Sequence, residues 1–198
     1  MSGPGAPRAA GEPRAAGDPR AERTREKLRQ ALLAECAERP LAEVSVSAVV
    51  RRAGLGRATF YLHHEDLQSL AVDACAEVAR RAVDALHAWR GVPDPAAPPP
   101  ALAAFLADTA AHVALYRSLL RPGGSGPLGE LLNRELRERS RSERELAGAR
   151  HADLVASAVA AAFTGVLADW LDDRVEGTPE SVAGDVWRLL IALHRAVP

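Results

Sequence analysis

The sequence predicts an all-α protein, with a small helix-turn-helix head on a larger helical body. Three observations lead there. Alanine, leucine and arginine dominate the 198 residues, and runs that could form strands are nearly absent. Apolar residues recur at helical spacing along most of the chain. Residues 45–64, SVSAVVRRAGLGRATFYLHH, read as two short helices joined by a tight glycine turn.

Composition narrows the function classes. Net charge is −1, so the whole chain is not a basic nucleic-acid binder. Residues 20–70 carry nine Lys/Arg against seven Asp/Glu, a net of +2, whereas residues from 71 onward carry fourteen against seventeen, a net of −3. That asymmetry permits a DNA-binding head on a neutral body. No secretion signal opens the chain, and no run without charges approaches the length of a bilayer-spanning helix, so a membrane span is not expected. Cys36 and Cys75 are too few for a disulfide scaffold, and reduced thiols of a cytoplasmic protein are the expectation. There is no nucleophile elbow, metal-spaced cluster or Gly-rich phosphate loop, so neither enzyme activity nor a metal or other cofactor is implied.

Taken in order, residues 1–20 contain the near-repeat PRAAGEPRAAGDPR, too rich in Pro and Gly for a helix, and are expected to be disordered. A helix follows over about 21–39. Thr24 is its candidate cap, Leu28, Leu32 and Cys36 stack on one face, and Pro40 ends it. Arg23, Arg25, Lys27 and Arg29 line its outer start, where they could approach phosphates or pair with Glu22 and Glu26.

In the 45–64 stretch, Ser45 is placed to cap a helix over 46–53 whose buried face is Val46, Val49, Val50 and Ala53. Gly54 supplies the positive φ of the turn, Leu55 plugs it, and Gly56 opens the second helix. That helix carries Arg57, Thr59, Tyr61, His63 and His64 around the apolar Phe60. A short donor-rich helix after such a turn is the layout of a helix that enters a DNA major groove. His63-His64-Glu65-Asp66 does not converge on one metal ion, because adjacent helical residues point in different directions.

Asp66 caps the next helix, with Leu67, Leu70, Ala71, Ala74 and Val78 as its buried stripe and an expected end near Trp89. GVPDPAAPPP (91–100) breaks the chain before a single helix expected over about 101–120, with Phe105, His112 and Tyr116 near one side. RPGGSGP (121–127) reads as a flexible loop, and 128–147 as a charged amphipathic helix whose alternating signs make it a solvated face. The helices over 151–173 and 181–197 are the most apolar. Their faces, Val155, Val159, Phe163, Val166 and Trp170 in one and Val182, Val186, Leu189, Leu190 and Leu193 in the other, complete the core or pair with a second copy as a four-helix bundle.

Residues 24–70 resemble the DNA-binding domain of the TetR family of transcriptional regulators. The resemblance is strongest at Ala53-Gly54-Leu55-Gly56-Arg57-Ala58-Thr59-Phe60-Tyr61-Leu62-His63, which is similar to the family's Ala-Gly-Val-Ser-Lys-Gly-Thr-Leu-Tyr-x-His signature, and it spans about a quarter of the chain. It implies a DNA-binding domain over 21–66 and an effector-binding and dimerisation domain over 67–198. It further implies a homodimer on a palindromic double-stranded DNA operator, released when a small-molecule effector moves the linking helix, with repression as the common output. By position, Thr59 and Tyr61 would meet phosphates, Arg57 and Ala58 base edges, and Ser45 and Ser47 the backbone; Gly56, His63 and His64 complete the DNA-facing set. Phe105, His112, Tyr116 and Trp170 are the candidate ligand pocket. Val155, Val159, Phe163, Val166, Trp170, Val186, Leu189 and Leu193 are the candidate dimer interface. Three positions depart from the family: Pro40 replaces a usual Gly, His64 a buried Phe, and Leu67 a Lys near the DNA. The last two motivate an alternative, a non-catalytic helical dimeric interaction module with weakened DNA binding.

Overall fold

The structure, a computed structural model, describes residues 19–88 and 93–196. It consists of helices α1 (Pro19–Glu38), α2 (Val46–Ala53), α3 (Arg57–Tyr61), α4 (Leu67–His87), α5 (Pro100–Ala111), α6 (Val113–Leu120), α7 (Pro127–Leu146), α8 (Ala152–Leu171) and α9 (Pro179–Ala196). Short 3-10 turns cover Leu41–Glu43 and Pro122–Gly124, and no strand occurs among the described residues.

The head is α1 to α3 packed on the first turns of α4. Leu28, Leu32, Val49, Val50, Phe60 and Leu70 bury its core, and sealing a side chain such as Phe60 stabilises the head by about 1.5–3 kcal/mol. The joint between α1 and α2 is ionic. Arg52 donates to Glu35 at 2.6 Å and to Glu38 at 2.5 Å. Glu35 is only 2% exposed, and two guanidinium groups make its burial tolerable, that of Arg52 and, at 3.3 Å, that of Arg39.

Several boundaries differ from the sequence expectation. α1 begins at Pro19, inside the expected tail; the rest of that tail lies outside the described residues. Thr24 does not cap the helix: its hydroxyl donates back to the Arg20 carbonyl at 2.9 Å, so it is already inside the first turns. α4 ends at His87, and Trp89 lies outside the described residues. The helix expected over 101–120 is two helices, because His112 leaves the helical region (φ −123°, ψ 38°) and turns α6 away from α5. The Asp66 cap is present as a reciprocal box: the Ser69 N–H donates to Asp66 Oδ1 at 2.7 Å, and the Asp66 N–H donates to Ser69 Oγ.

The glycine-rich 121–127 segment is no loose loop. It closes tightly against α6 and α8; Gly123 and Gly124 take the positive φ of the turn (69° and 73°), while Gly126, and Gly129 just beyond it, are required by space. A Cβ on Gly126 would lie 2.2 Å from the Leu119 carbonyl oxygen, and one on Gly129 would lie 1.9 Å from that of Gly124.

The body is a layered bundle in which α7 packs on both α4 and α8, and α9 closes α5 and α8. α8, with only Asp153 and Asp169 charged, is by length and composition alone apolar enough to cross a membrane. Half of its apolar stretch is buried inside the chain, because α7 and α9 use it as the central core helix. Val155, Val159, Phe163 and Val186 are at most 4% exposed within the single chain, so they belong to its own core and not to a dimer face. Val166, Trp170 and Leu193 are half-buried, and Leu189 and Leu154 are exposed.

Substitution separates the two kinds of glycine. Gly129→Ala is expected to lower stability by roughly 1–3 kcal/mol through overpacking. Gly184→Ala should raise it by roughly 0.5–1 kcal/mol, since its Cβ would meet only the mobile end of Arg188, at 3.4 Å. Urea midpoints of the two variants check both signs.

Candidate functional site

The two-helix motif is built locally. Ser45 adopts an extended backbone and its hydroxyl accepts from the Ala48 N–H at 3.2 Å, starting α2. Gly54 turns left-handed (φ 67°), and the Leu55 N–H closes on the Val50 carbonyl at 2.8 Å. Leu55 then packs against the core, which fixes the angle at which α3 leaves the turn.

Phe60 is fully buried and anchors α3 from behind. Its neighbours Arg57, Ala58 and Tyr61 face solvent, Tyr61 at 53% exposure with its ring edge-on to Phe60, and Thr59 is half-buried. α3 is shorter than expected. It ends at Tyr61, Leu62 caps it, and His63 and His64 belong to the following turn. Leu62 is 81% exposed, the apolar side chain of the motif that reaches farthest into solvent; sequence reasoning passed over it because an apolar residue after Phe60 reads as core.

The cations divide into two groups. Arg51 and Arg57 are exposed and form no ion pair among the described residues, as do Arg23 and Lys27 of α1. Arg52 is spent on the α1–α2 joint, Arg25 pairs with Glu22 at 3.3 Å, and Arg29 binds Glu22, Glu26 and Asp73 of α4. Arg29 therefore ties the head to α4 and is not available to phosphates.

His64 requires a correction, since it does not face DNA. The bond from its N–H to the Phe60 carbonyl at 2.9 Å turns it inward, where it is 8% exposed beside Phe60. Its Nε2 has no hydrogen-bond partner, and the nearest carboxylate oxygen, on Asp73, is 3.9 Å away. Burial pulls its imidazole below the usual range; Asp73 opposes that pull, while His63, Arg25 and Arg29 reinforce it. The position stays a core position although the residue is polar.

None of the residues expected to line a pocket, Phe105, His112, Tyr116 and Trp170, lies in the walls of the two cavities described below. Phe105 and Tyr116 fill the centre of the body, with Tyr116 edge-on to Phe105 at 6.0 Å and Phe163 stacked at 6.2 Å. The Tyr116 hydroxyl donates to Asp108 at 2.6 Å, and His112 forms the α5–α6 break. Trp170 donates to the Gly177 carbonyl at 3.0 Å and holds the α8–α9 turn.

A cavity of about 240 Å³ lies elsewhere, at the far end of α4 from the head. Leu86, His87, Leu136, Val159, Trp187, Leu190 and Ile191 form its walls, with Glu143, Arg144, His194 and Arg195 as its charged and polar members. Small Ala147 and Ala149 leave the space open. His87 is fixed by its Nδ1–H donating to the Val83 carbonyl at 2.7 Å, which leaves Nε2 to accept from Ser140. Arg144 donates to the carbonyls of His194 and Arg150, both at 2.8 Å. Burial lowers the imidazole of His87, pulls that of His194 down to about 4, and pushes the Glu143 carboxyl up to about 7 against the pull of Arg139. A second, open groove along α7 sets Arg134, Arg137 and Arg141 against Glu130, Glu138 and Asp153, so it presents no single sign of charge.

The chain matches no family model and no curated protein. Solved structures match it over nearly its whole length. A TetR-family regulator from Streptomyces coelicolor A3 superposes with a TM-score of 0.62 at 20% identity, covering 91% of this chain and 99% of that one. The TetR family repressor AlkX from Dietzia sp., implicated in biodegradation of n-alkanes, does so at 0.56 and 20%, covering 87% and 96%. NalD of Pseudomonas aeruginosa, the secondary repressor of the MexAB-OprM multidrug efflux pump, does so at 0.54 and 16%, covering 89% and 98%. The fold is therefore TetR-like, head and body together.

The buried ionisable groups give opposite pH signatures. His194 (about 4 folded against 6.5 unfolded), with His64 and His87 lowered in the same direction, loses stability as pH falls below 6.5. Glu143 (about 7 folded against 4.5 unfolded) contributes stability that is lost as pH rises through 4.5 to 7, so it offsets the histidines across that window. Glu143→Gln is expected to steepen the loss on the acid side. Urea midpoints at about pH 7 and about pH 5 should differ more in the variant than in the natural chain.

Proposed function

We propose that this chain is a DNA-binding transcriptional regulator, acting in the cytoplasm as a homodimeric repressor of a palindromic operator and released by a small molecule. One observation carries the reading. α3 is pinned from behind by buried Phe60 while Arg57, Ala58 and Tyr61 face outward, and Arg51 and Arg57 form no ion pair among the described residues. A helix so presented by a glycine turn fits a major groove, and the similar folds with head and body arranged alike are those of TetR-family regulators.

In this reading residues 21–66 form the DNA-binding domain and 67–198 the effector and dimerisation domain. Arg57 and Ala58 read base edges at the start of α3. Thr59, Tyr61, Ser47 and His63 approach phosphates beside the open ends of α2 and α3, where Ser45 sets the first turn and Gly56 lets the backbone come close. The dimer face consists of Val166, Trp170, Leu189 and Leu193, with exposed Leu154 beside them. Two copies place their α3 helices in successive major grooves, about 34–36 Å apart. α4 is the coupling element, since Arg29 and Asp73 bind it to the head at 3.2 Å and its last turn walls the cavity.

A mobility shift on the DNA upstream of the chain's own gene tests the reading. A specific shift that weakens with salt is expected, and a folded dimer giving none at moderate salt would sink it. Tyr61→Ala should lower operator affinity by about tenfold or more while leaving the melting temperature and the dimer unchanged, because Tyr61 is half-exposed and outside the core. A normally binding variant would show α3 to be placed wrongly on the DNA.

A further inference from the structure

We propose that the cavity at the far end of α4 is a binding site for a compact hydrophobic carboxylic acid, with an aromatic or short aliphatic body against Trp187 and its carboxylate at the Arg144–Arg195 edge. The cavity is about 240 Å³, below the range of about 300–1,000 Å³ of drug-sized pockets, so the ligand is small. Leu86, Leu136, Leu190 and Ile191 make most of the wall apolar. The Trp187 indole, 4% exposed, is held in one orientation by its N–H donating to the Asp94 carbonyl at 2.7 Å, and offers a fixed aromatic face.

The sign of the ligand follows from the lining. Arg144 and Arg195 bring two guanidinium groups to the lining. Arg144 is 6% exposed and locked by two carbonyls, so its charge is pre-placed inside the site. Glu143 is the one carboxylate among the described lining residues; burial raises it to about 7, so near neutrality it carries only part of a negative charge. His87 and His194 are held neutral by burial. Among the described lining residues two guanidinium cations stand against one carboxylate, and that favours an anion over a neutral molecule and a neutral molecule over a cation.

The inference deepens the effector half of the proposed function and rests on it only for the consequence at DNA; binding itself is measured without DNA. Titration calorimetry on the full chain with three probes of one skeleton, 3-phenylpropanoate, 3-phenylpropan-1-ol and 3-phenylpropylamine, reads the selectivity. The acid is expected to bind about tenfold or more tighter than the amine, with the alcohol between. Arg195→Gln, at an exposed position, should weaken the acid several-fold and leave the alcohol unchanged. Ala147→Phe, at the exposed rim, should weaken all three while circular dichroism shows an intact fold. Absence of millimolar binding by any probe, an amine that binds as tightly as the acid, or acid binding untouched by both variants would each overturn the proposal. A chain that binds the acid but shifts no DNA leaves this site standing and sinks the regulator reading; an operator shift with no acid binding does the reverse.

Discussion

The structure depends on α4 remaining one unbroken helix. Its 21 residues span roughly 30 Å, and they touch everything that matters. The Asp66–Ser69 box fixes where it starts, so Leu70 and Ala71 lie under the head core. One turn further, Asp73 meets Arg29. The buried run Ala74, Cys75, Ala76, Ala79, Ala82 and Val83 then lets α4 pack closely against α1, α5 and α7. At the other end Leu86 and His87 become cavity wall. Small residues in the middle and an ion pair near the start leave α4 little freedom except to move as a rod, and a rod is what can carry a displacement from one end of the molecule to the other.

The head is joined to this rod by polar contacts as much as by packing. Arg52 bridges Glu35 and Glu38, Arg29 bridges Glu22, Glu26 and Asp73, and His64 is buried beside Asp73 with one ring nitrogen lacking a partner. A phenylalanine at 64 would satisfy the same volume without a polar atom. The histidine costs the head part of its packing energy and makes the head–α4 joint less stable than an all-apolar one would be. A neighbouring acid 3.9 Å away softens that cost only when the imidazole is charged, which burial resists.

Much of this was legible in the sequence, and the parts that were not share a physical cause. Local signals are legible where the cause is local: the Ser45 cap, the Gly54 turn and the Asp66 cap are each set by residues within four positions. Apolar spacing placed the core faces of α2 and α4 for the same reason. His112 gave no warning, because a histidine is an ordinary helix residue; its break follows from α6 turning to pack on α7 and the Leu41–Glu43 turn. The 121–127 glycines read as a turn, and Gly123 and Gly124 do take positive φ there, but the close packing at Gly126 shows only in the Leu119 carbonyl beside it. The cavity was invisible since it exists where α4, α7 and α9 end together, and no single helix encodes where three others stop. Phe105 and Tyr116, placed in a candidate pocket by the family resemblance, pack with Phe163 in the buried core, a contact between α5, α6 and α8 that no single helix pattern shows.

The apolarity of α8 exceeds what one chain consumes. Val155, Val159, Phe163 and Leu167 face inward and are sealed by α7 and α9. The opposite side still carries Leu154, Val166 and Trp170 among alanines and Gly165, and α9 adds Leu189 and Leu193. A helix that is hydrophobic around its whole circumference is at home only when both sides are covered. Small residues between larger ones on the outer side suit close approach of another helix rather than water, since a Cβ on Gly165 would meet nothing within 4 Å in the single chain. The inner half of α8 belongs to the fold of one copy, and its outer half is the surface that a second copy would cover in the proposed dimer. The sequence pattern merged the two because a period of 3.6 residues locates apolar faces without saying which molecule covers them.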